Sequence, residues 1–140
     1  MKALIDTNIV IDVISKREGY EDSLEVFKRC ELGLVQGYIS TITINDAIYI
    51  LRKHVSQEGV RVAVQTLLLI IDIADILKSD IISAFSSEMT DFEDAIQASC
   101  AKRIKAEYII TKNIKDFKGS SIPAVLPKSI LSQIKKPVNG

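Results

Sequence analysis

Short apolar segments alternate with stretches of helical periodicity along nearly the whole chain. Parallel strands need a crossover connection, and a helix is the usual one, so this alternation leaves few architectures open. Ala3-Leu4-Ile5 reads as a first strand, after which Ile9, Val10, Val13 and Ile14 recur at helical spacing. Glu21 to Leu32 repeats the helical signal through Leu24, Val26, Phe27 and Cys30 and closes at Gly33. Tyr38-Ile39-Ser40 is a second strand, followed by a helix from Thr43 to about His54 whose buried face carries Ala47, Ile48, Ile50 and Leu51. Gln57 to Ile70 is a further helix, Asp72 to Ile76 a third strand and Asp80 to Phe85 a short helix. Thr90 to Lys105 is helical, with Thr90 and Glu93 in the Thr-x-x-Glu spacing of a capping box. Tyr108 to Thr111 and Ala124 to Leu126 are the fourth and fifth strands, and Pro127 opens a last helix. The expected fold is an α/β three-layer α/β/α sandwich around a central parallel sheet. It forms one domain over residues 1–134, and residues 135–140 form a flexible tail.

Composition narrows the function. At 140 residues and 47% hydrophobic, the chain can bury one real core. Its formal net charge is +0, from 18 basic and 18 acidic residues, so any binding to a phosphate backbone must come from a local patch. Cys30 and Cys100 have neither zinc-site nor redox-motif spacing and are expected as packed, reduced thiols of a cytoplasmic protein. The start of the chain lacks an export signal, and the most apolar stretch, Leu67 to Ile71, is too short to span a bilayer. No membrane association is expected.

Four acids, Asp6, Asp46, Asp94 and Asp116, fall where a strand has ended or a helix is beginning. In an open parallel sheet the carboxyl ends of the strands border one crevice, so acids placed there meet in space. Two carboxylates about 4 Å apart repel by roughly 4 kcal/mol at an effective dielectric of about 20, which protons or a divalent cation must offset. Hard, oxygen-liganded Mg²⁺ or Mn²⁺ is the productive choice, and it usually works with a phosphate-bearing substrate. Asp6 and Asp94 would hold the ion directly or through water, and the shorter reach of Asp46 suits a water-mediated contact. Thr7, Ser40 and Thr111 are candidates to hydrogen-bond carboxylates or phosphate oxygens, and Arg52, Lys53 and Lys112 to contact backbone phosphates.

Several residues have plainer readings. Asp6 could cap the helix after it, but four acids in equivalent places argue against capping alone. Asp91 suits the helix dipole and Glu93 the capping box, whereas Asp94 lies deeper than capping requires. Asp116 has turn chemistry as its competitor. Asp12, Asp72, Asp75 and Asp80 read as solvated or capping residues, His54 as a partner of a helix C-terminus, and Tyr38 and Tyr49 as packing residues.

Four segments in series carry a resemblance: Leu4-Ile5-Asp6-Thr7-Asn8, the run from Ile39 to Lys53, Asp91-Phe92-Glu93-Asp94-Ala95, and the run from Tyr108 to Phe117. Together they resemble the PIN-domain family over nearly the whole chain. The resemblance implies an endoribonuclease dependent on Mg²⁺ or Mn²⁺, as in the bacterial toxins of toxin-antitoxin pairs, with an RNA substrate, an antitoxin partner and a homodimeric state. On this resemblance Asp6 matches the first acid and Asn8 its polar companion. Asp46 stands where most members have Glu and a subset Asp, and Asp94 matches the acid before the small-residue helix. The chain departs from the family at Asn113, often Asp there, and Asp116 is the candidate for the missing charge. Two alternatives stand beside this reading. One is a catalytically silent PIN-like domain that binds RNA or a partner protein. The other is a phosphorylated receiver domain, which needs an acidic pair that Asp6-Thr7-Asn8 lacks.

Overall fold

The computed structural model describes residues 1–134; the expected tail, 135–140, lies outside the described residues. Five strands form one parallel sheet: β1 (Lys2–Ile5), β2 (Gln36–Ser40), β3 (Asp72–Ala74), β4 (Tyr108–Ile110) and β5 (Ala124–Val125). The helices are α1 (Thr7–Ser15), α2 (Tyr20–Glu31), α3 (Thr41–Leu51), α4 (Gln57–Leu68), α5 (Lys78–Ala84), α6 (Phe92–Arg103) and α7 (Pro127–Leu131), with a 3₁₀ turn at Ile114–Phe117. The expected α/β/α sandwich is the fold observed.

Strand order is β3-β2-β1-β4-β5, with Leu4 opposite Tyr38 on one side and Ile109 on the other. The chain builds outward from β1 to β3, then returns to lay β4 against the other edge of β1. That reversal opens a crevice beyond the carboxyl ends of β1 and β4, where ligands of open α/β sheets bind. A receiver domain has the order 2-1-3-4-5, so the sheet removes that alternative.

Both faces of the sheet are buried, and alternate residues of one strand serve opposite faces. Ala3, Ile5, Ile39 and Ile110 pack with Val10, Val26 and Phe27 of α1 and α2, whereas Leu4 and Ile109 pack with Ala95, Ala98 and Ala101 of α6. The small residues of α6 let that helix lie close to the sheet. Gly37 does the same for α2: a Cβ there would stand 2.7 Å from the Cys30 sulfur. Both cysteines are free and buried, and burial pushes their thiols up to about 12 for Cys30 and about 11 for Cys100.

Helix boundaries moved where capping decided them. The expected Thr43 start falls at Thr41, because the buried Ser40 side chain accepts from the Thr43 N–H and caps α3 directly at the end of β2. The Thr90–Glu93 capping box does not form. Asp91, a stronger N-cap than Thr, accepts from the Asp94 N–H at 2.9 Å and starts α6 at Phe92. Asp94 therefore lies in the first turn, not deeper. Asp80 caps α5 through the Leu77 N–H, as expected, but it is also buried and ion-paired with Arg103 at 3.0 Å. Asp12 is likewise not solvated: it is buried and paired with Lys112. Among the described residues no helix is long and apolar enough to cross a membrane.

Candidate active site at the carboxyl edge of the sheet

β1 ends at Ile5, which places Asp6 at the crevice as the N-cap of α1. Asp6 is 6% exposed and its carboxylate is held on three sides. Oδ1 accepts from the Thr7 N–H at 2.8 Å and from Gln97 Nε2 at 3.1 Å, while Oδ2 accepts from the Thr111 hydroxyl at 2.8 Å. Burial raises its pKa; the bonds from Thr111 and Thr7 work against that, and the Asp116 charge adds to it. The capping role and the cluster role of Asp6 thus coexist.

Around this buried acid stand others that face solvent. Asp94 is half-buried at the start of α6, and its carboxyl is pushed up to about 7, by burial first and then by the charges of Asp6, Asp91, Asp116 and Glu93. Glu93 is raised by partial burial and by Asp46, Asp91 and Asp6. With Asp91 as the cap, Glu93 does not serve α6 as expected; it belongs electrostatically to the acidic group. Asp116 is exposed on the 3₁₀ turn after β4, and its charge reaches both Asp6 and Asp94. Asp46 sits in the second turn of α3, past the helix start where the sequence placed it, and its charge is felt by Glu93.

The polar residues sort into two groups. Thr111 and Ser40 are fully buried, so neither is free for a substrate: Thr111 serves Asp6, and the Ser40 hydroxyl donates to Gln97 Oε1 at 2.7 Å. Thr7 shares a hydrogen bond with the buried Thr43 hydroxyl at 2.8 Å. Asn8 bridges to the loop after β4, with its Nδ2 donating to the Thr111 hydroxyl at 3.3 Å and its Oδ1 accepting from the Lys112 N–H at 3.4 Å. Lys112 is a tether rather than a free cation, since its ammonium pairs with Asp12 and donates to the Glu18 carbonyl at 3.0 Å. Asn113 is exposed beside Asp116, and Arg52 and Lys53 are exposed just past α3.

Gln97 was not anticipated. It is 1% exposed, yet its amide spans the distance from Ser40 at the end of β2 to Asp6 just past β1. The available signal was its place three residues after Asp94, polar among Ala95, Ala98, Cys100 and Ala101, where a helix turns the same face inward.

Such a group of like charges has two uses for its excess negative potential, proton uptake or a divalent cation. Oxygen donors alone, with no sulfur or imidazole among them, fit a hard cation such as Mg²⁺ or Mn²⁺. Among the described residues no three His, Cys, Asp or Glu side chains stand close enough to hold one ion as a ready-made set. The fit is therefore one of charge and donor type, with solvent-facing carboxylates around one fixed carboxylate.

A parallel α/β domain with carboxylates gathered at its strand-order reversal has its ligand crevice there. The chain belongs to the PIN-domain family, whose model matches residues 2–115 and whose members are generally nucleases that typically use divalent metal ions. It is similar to a solved toxin-antitoxin complex from Klebsiella pneumoniae, at 26% identity and TM-score 0.68 over 89% of this chain and 97% of that one. It also shares its fold with VapBC2 from Rickettsia felis bound to a DNA fragment from their promoter, at 20% identity and TM-score 0.68 over 90% and 98% of the two chains. FitAcB from Neisseria gonorrhoeae shares the fold too, at 18% identity and TM-score 0.64 over 90% and 98%. No curated protein matches the chain in sequence.

Proposed function

We propose that the chain, as a single nuclease domain over residues 1–134, is a metal-dependent endoribonuclease that hydrolyses RNA phosphodiester bonds in the cytoplasm. In this reading it is the toxin of a toxin-antitoxin pair. The observation that carries the proposal is the mutual action of the Asp6, Asp94, Asp116 and Glu93 charges at the crevice, with Asp94 raised to about 7. Asp6 and Asp94 would hold Mg²⁺ or Mn²⁺, with Asp46 and Asp116 contributing through water. When bound, the ion supplies a polarised water and offsets charge on the phosphoryl oxygens. Thr111 and Gln97 keep Asp6 in one rotamer, and Asn8 holds the Thr111–Asn113 loop against α1.

The partner proposals rest on surface character. An apolar groove of about 310 Å³, lined by residues such as Val13, Ile14, Leu24, Ile44, Leu67 and Ile70, suits an apolar antitoxin segment. A homodimer has its support in the exposed Ile82, Phe85 and Phe92, with the two rings 5.1 Å apart. Asn113, where the family often has Asp, together with the neutral net charge keeps a second reading in view: a silent PIN domain that binds RNA or protein.

Single-turnover cleavage of RNA in Mn²⁺ separates the two. Wild type is expected to cleave, with Asp6→Asn and Asp94→Asn slower by about 10²-fold or more while circular dichroism stays native. Cleavage by Asp6→Asn at the wild-type rate would sink the assigned site. Absence of cleavage across structured and single-stranded RNA, with RNA still bound, would select the silent domain.

A further inference from the structure

What sets Arg52 and Lys53 apart from the other cations is that they share one aromatic ring. The described residues contain three ion pairs, Arg29–Glu25, Arg103–Asp80 and Lys112–Asp12, and neither Arg52 nor Lys53 takes part in any of them. Both instead lie over the Tyr49 ring, the Arg52 guanidinium carbon 4.9 Å and the Lys53 ammonium 4.3 Å from its centre. His54 follows them directly, so three basic side chains leave the end of α3 together. Tyr49 is 50% exposed, which is not the packing role its sequence suggested.

Holding two like charges against one ring is unfavourable by itself; the negative face of the ring offsets part of the repulsion, and an anion would offset the rest. The ring and the cations also divide a recognition task, because phosphates are met by Arg and Lys and bases stack on an aromatic face. Position adds the third argument. Tyr49 lies three residues after Asp46 on α3, hence on the same side of the helix one turn further along, and the Asp46 charge is felt within the acidic group. From Asp46 to Arg52, the residue that caps the end of α3, is about 9 Å along the helix axis, the length of about three stacked nucleotides.

We infer that Tyr49, Arg52 and Lys53 form a binding surface for the single-stranded RNA that leads into the carboxylate crevice, with Arg52 and Lys53 taking phosphates and Tyr49 a base. This deepens the endoribonuclease reading and rests on it for the identity of the strand. Asn113 and Asp116, on the loop after β4, are not part of this surface.

The test is fluorescence anisotropy of a labelled single-stranded 12-nucleotide RNA, titrated at several salt concentrations in an Asp94→Asn background that slows cleavage. The background chain is expected to bind with a salt-dependent affinity. Arg52→Gln/Lys53→Gln should flatten the slope of log Kobs against log salt by about 1.4, at about 0.7 for each single-strand phosphate that is no longer neutralised. Tyr49→Leu should weaken binding about tenfold with the slope retained. All three residues are exposed, so circular dichroism should remain native in each variant. An unchanged slope in the double variant overturns the inference, as does failure of the background chain to bind RNA at low salt. Loss of a co-expressed protein partner with RNA binding intact would also overturn it, giving the surface to that partner. The outcomes separate from those of the parent reading: wild-type cleavage with unaltered RNA binding by the double variant removes the surface and leaves the enzyme. Patch-dependent binding without metal-dependent cleavage removes the enzyme and leaves the surface.

Discussion

Gln97 shows how one side chain can set the state of a charged site. Its amide donates to Asp6 and accepts from Ser40, so both ends are satisfied in a place where water does not reach. A buried polar group left without a partner costs about 1–3 kcal/mol. Gln97→Leu keeps the approximate volume but strands the Ser40 hydroxyl and takes one donor from Asp6, so stability in urea should fall by about that amount. Freed of that donor, Asp6 should also hold its proton more readily, and under the proposed function, in which Asp6 would hold the ion, turnover should fall by about 10- to 100-fold, the usual effect of losing a partner that orients a metal ligand. Wild-type turnover in a folded Gln97→Leu would show that the amide serves packing alone.

Within a single element, α6 carries much of the site and much of the scaffold in its successive turns. Its first turn presents Glu93 and Asp94, its next turn sends Gln97 inward, and its last turn anchors α5 through Arg103 and Asp80. The cap that begins the helix therefore also aims the acids. Asp91→Ala should cost about 1 kcal/mol, with a range of about 0.5–2, whereas Thr90→Ala should change urea stability by no more than a few tenths. The reverse order would restore the Thr90–Glu93 box read from the sequence. That box failed for a local reason: two good N-cap residues are adjacent, and the stronger one, extended at φ −96 and ψ 126, took the position.

At the scale of the molecule, the acidic group makes stability depend on pH in an unusual direction. An Asp in the unfolded chain titrates near 3.8, whereas Asp94 in the fold titrates at about 7, and Asp6 and Glu93 are raised as well. Between these values the folded state binds more protons than the unfolded one, so stability declines as pH rises from about 4 to about 7. Without divalent cation, Tm should therefore fall over that interval, and Asp94→Asn should flatten the decline. Under the proposed function Mg²⁺ or Mn²⁺ would replace the protons, so its stabilisation should be larger at pH 7.5 than at pH 5, reaching about 2.7 kcal/mol at a hundredfold excess over Kd. Thermal melts at both pH values with and without chelator check this. An equal metal effect in Asp94→Asn would remove Asp94 from the site.

The order of strands and helices is legible along the chain, because apolar periodicity is a local property and each segment carries its own: Leu4-Ile5, Tyr108-Ile109-Ile110 and the Ile9, Val10, Val13 and Ile14 stripe of α1 are all read from spacing. The sequence also marked Asp6 and Asp94, since each follows a recognisable strand end or helix start. Which side chains meet is settled by the packing of distant segments. The pairing of Lys112 with Asp12, the inward turn of Ser40 and the approach of Asp116 to Asp6 join residues about 60 to 110 positions apart, and no local pattern encodes such contacts. The strand order β3-β2-β1-β4-β5 set those encounters, by laying the end of β4 beside the end of β1.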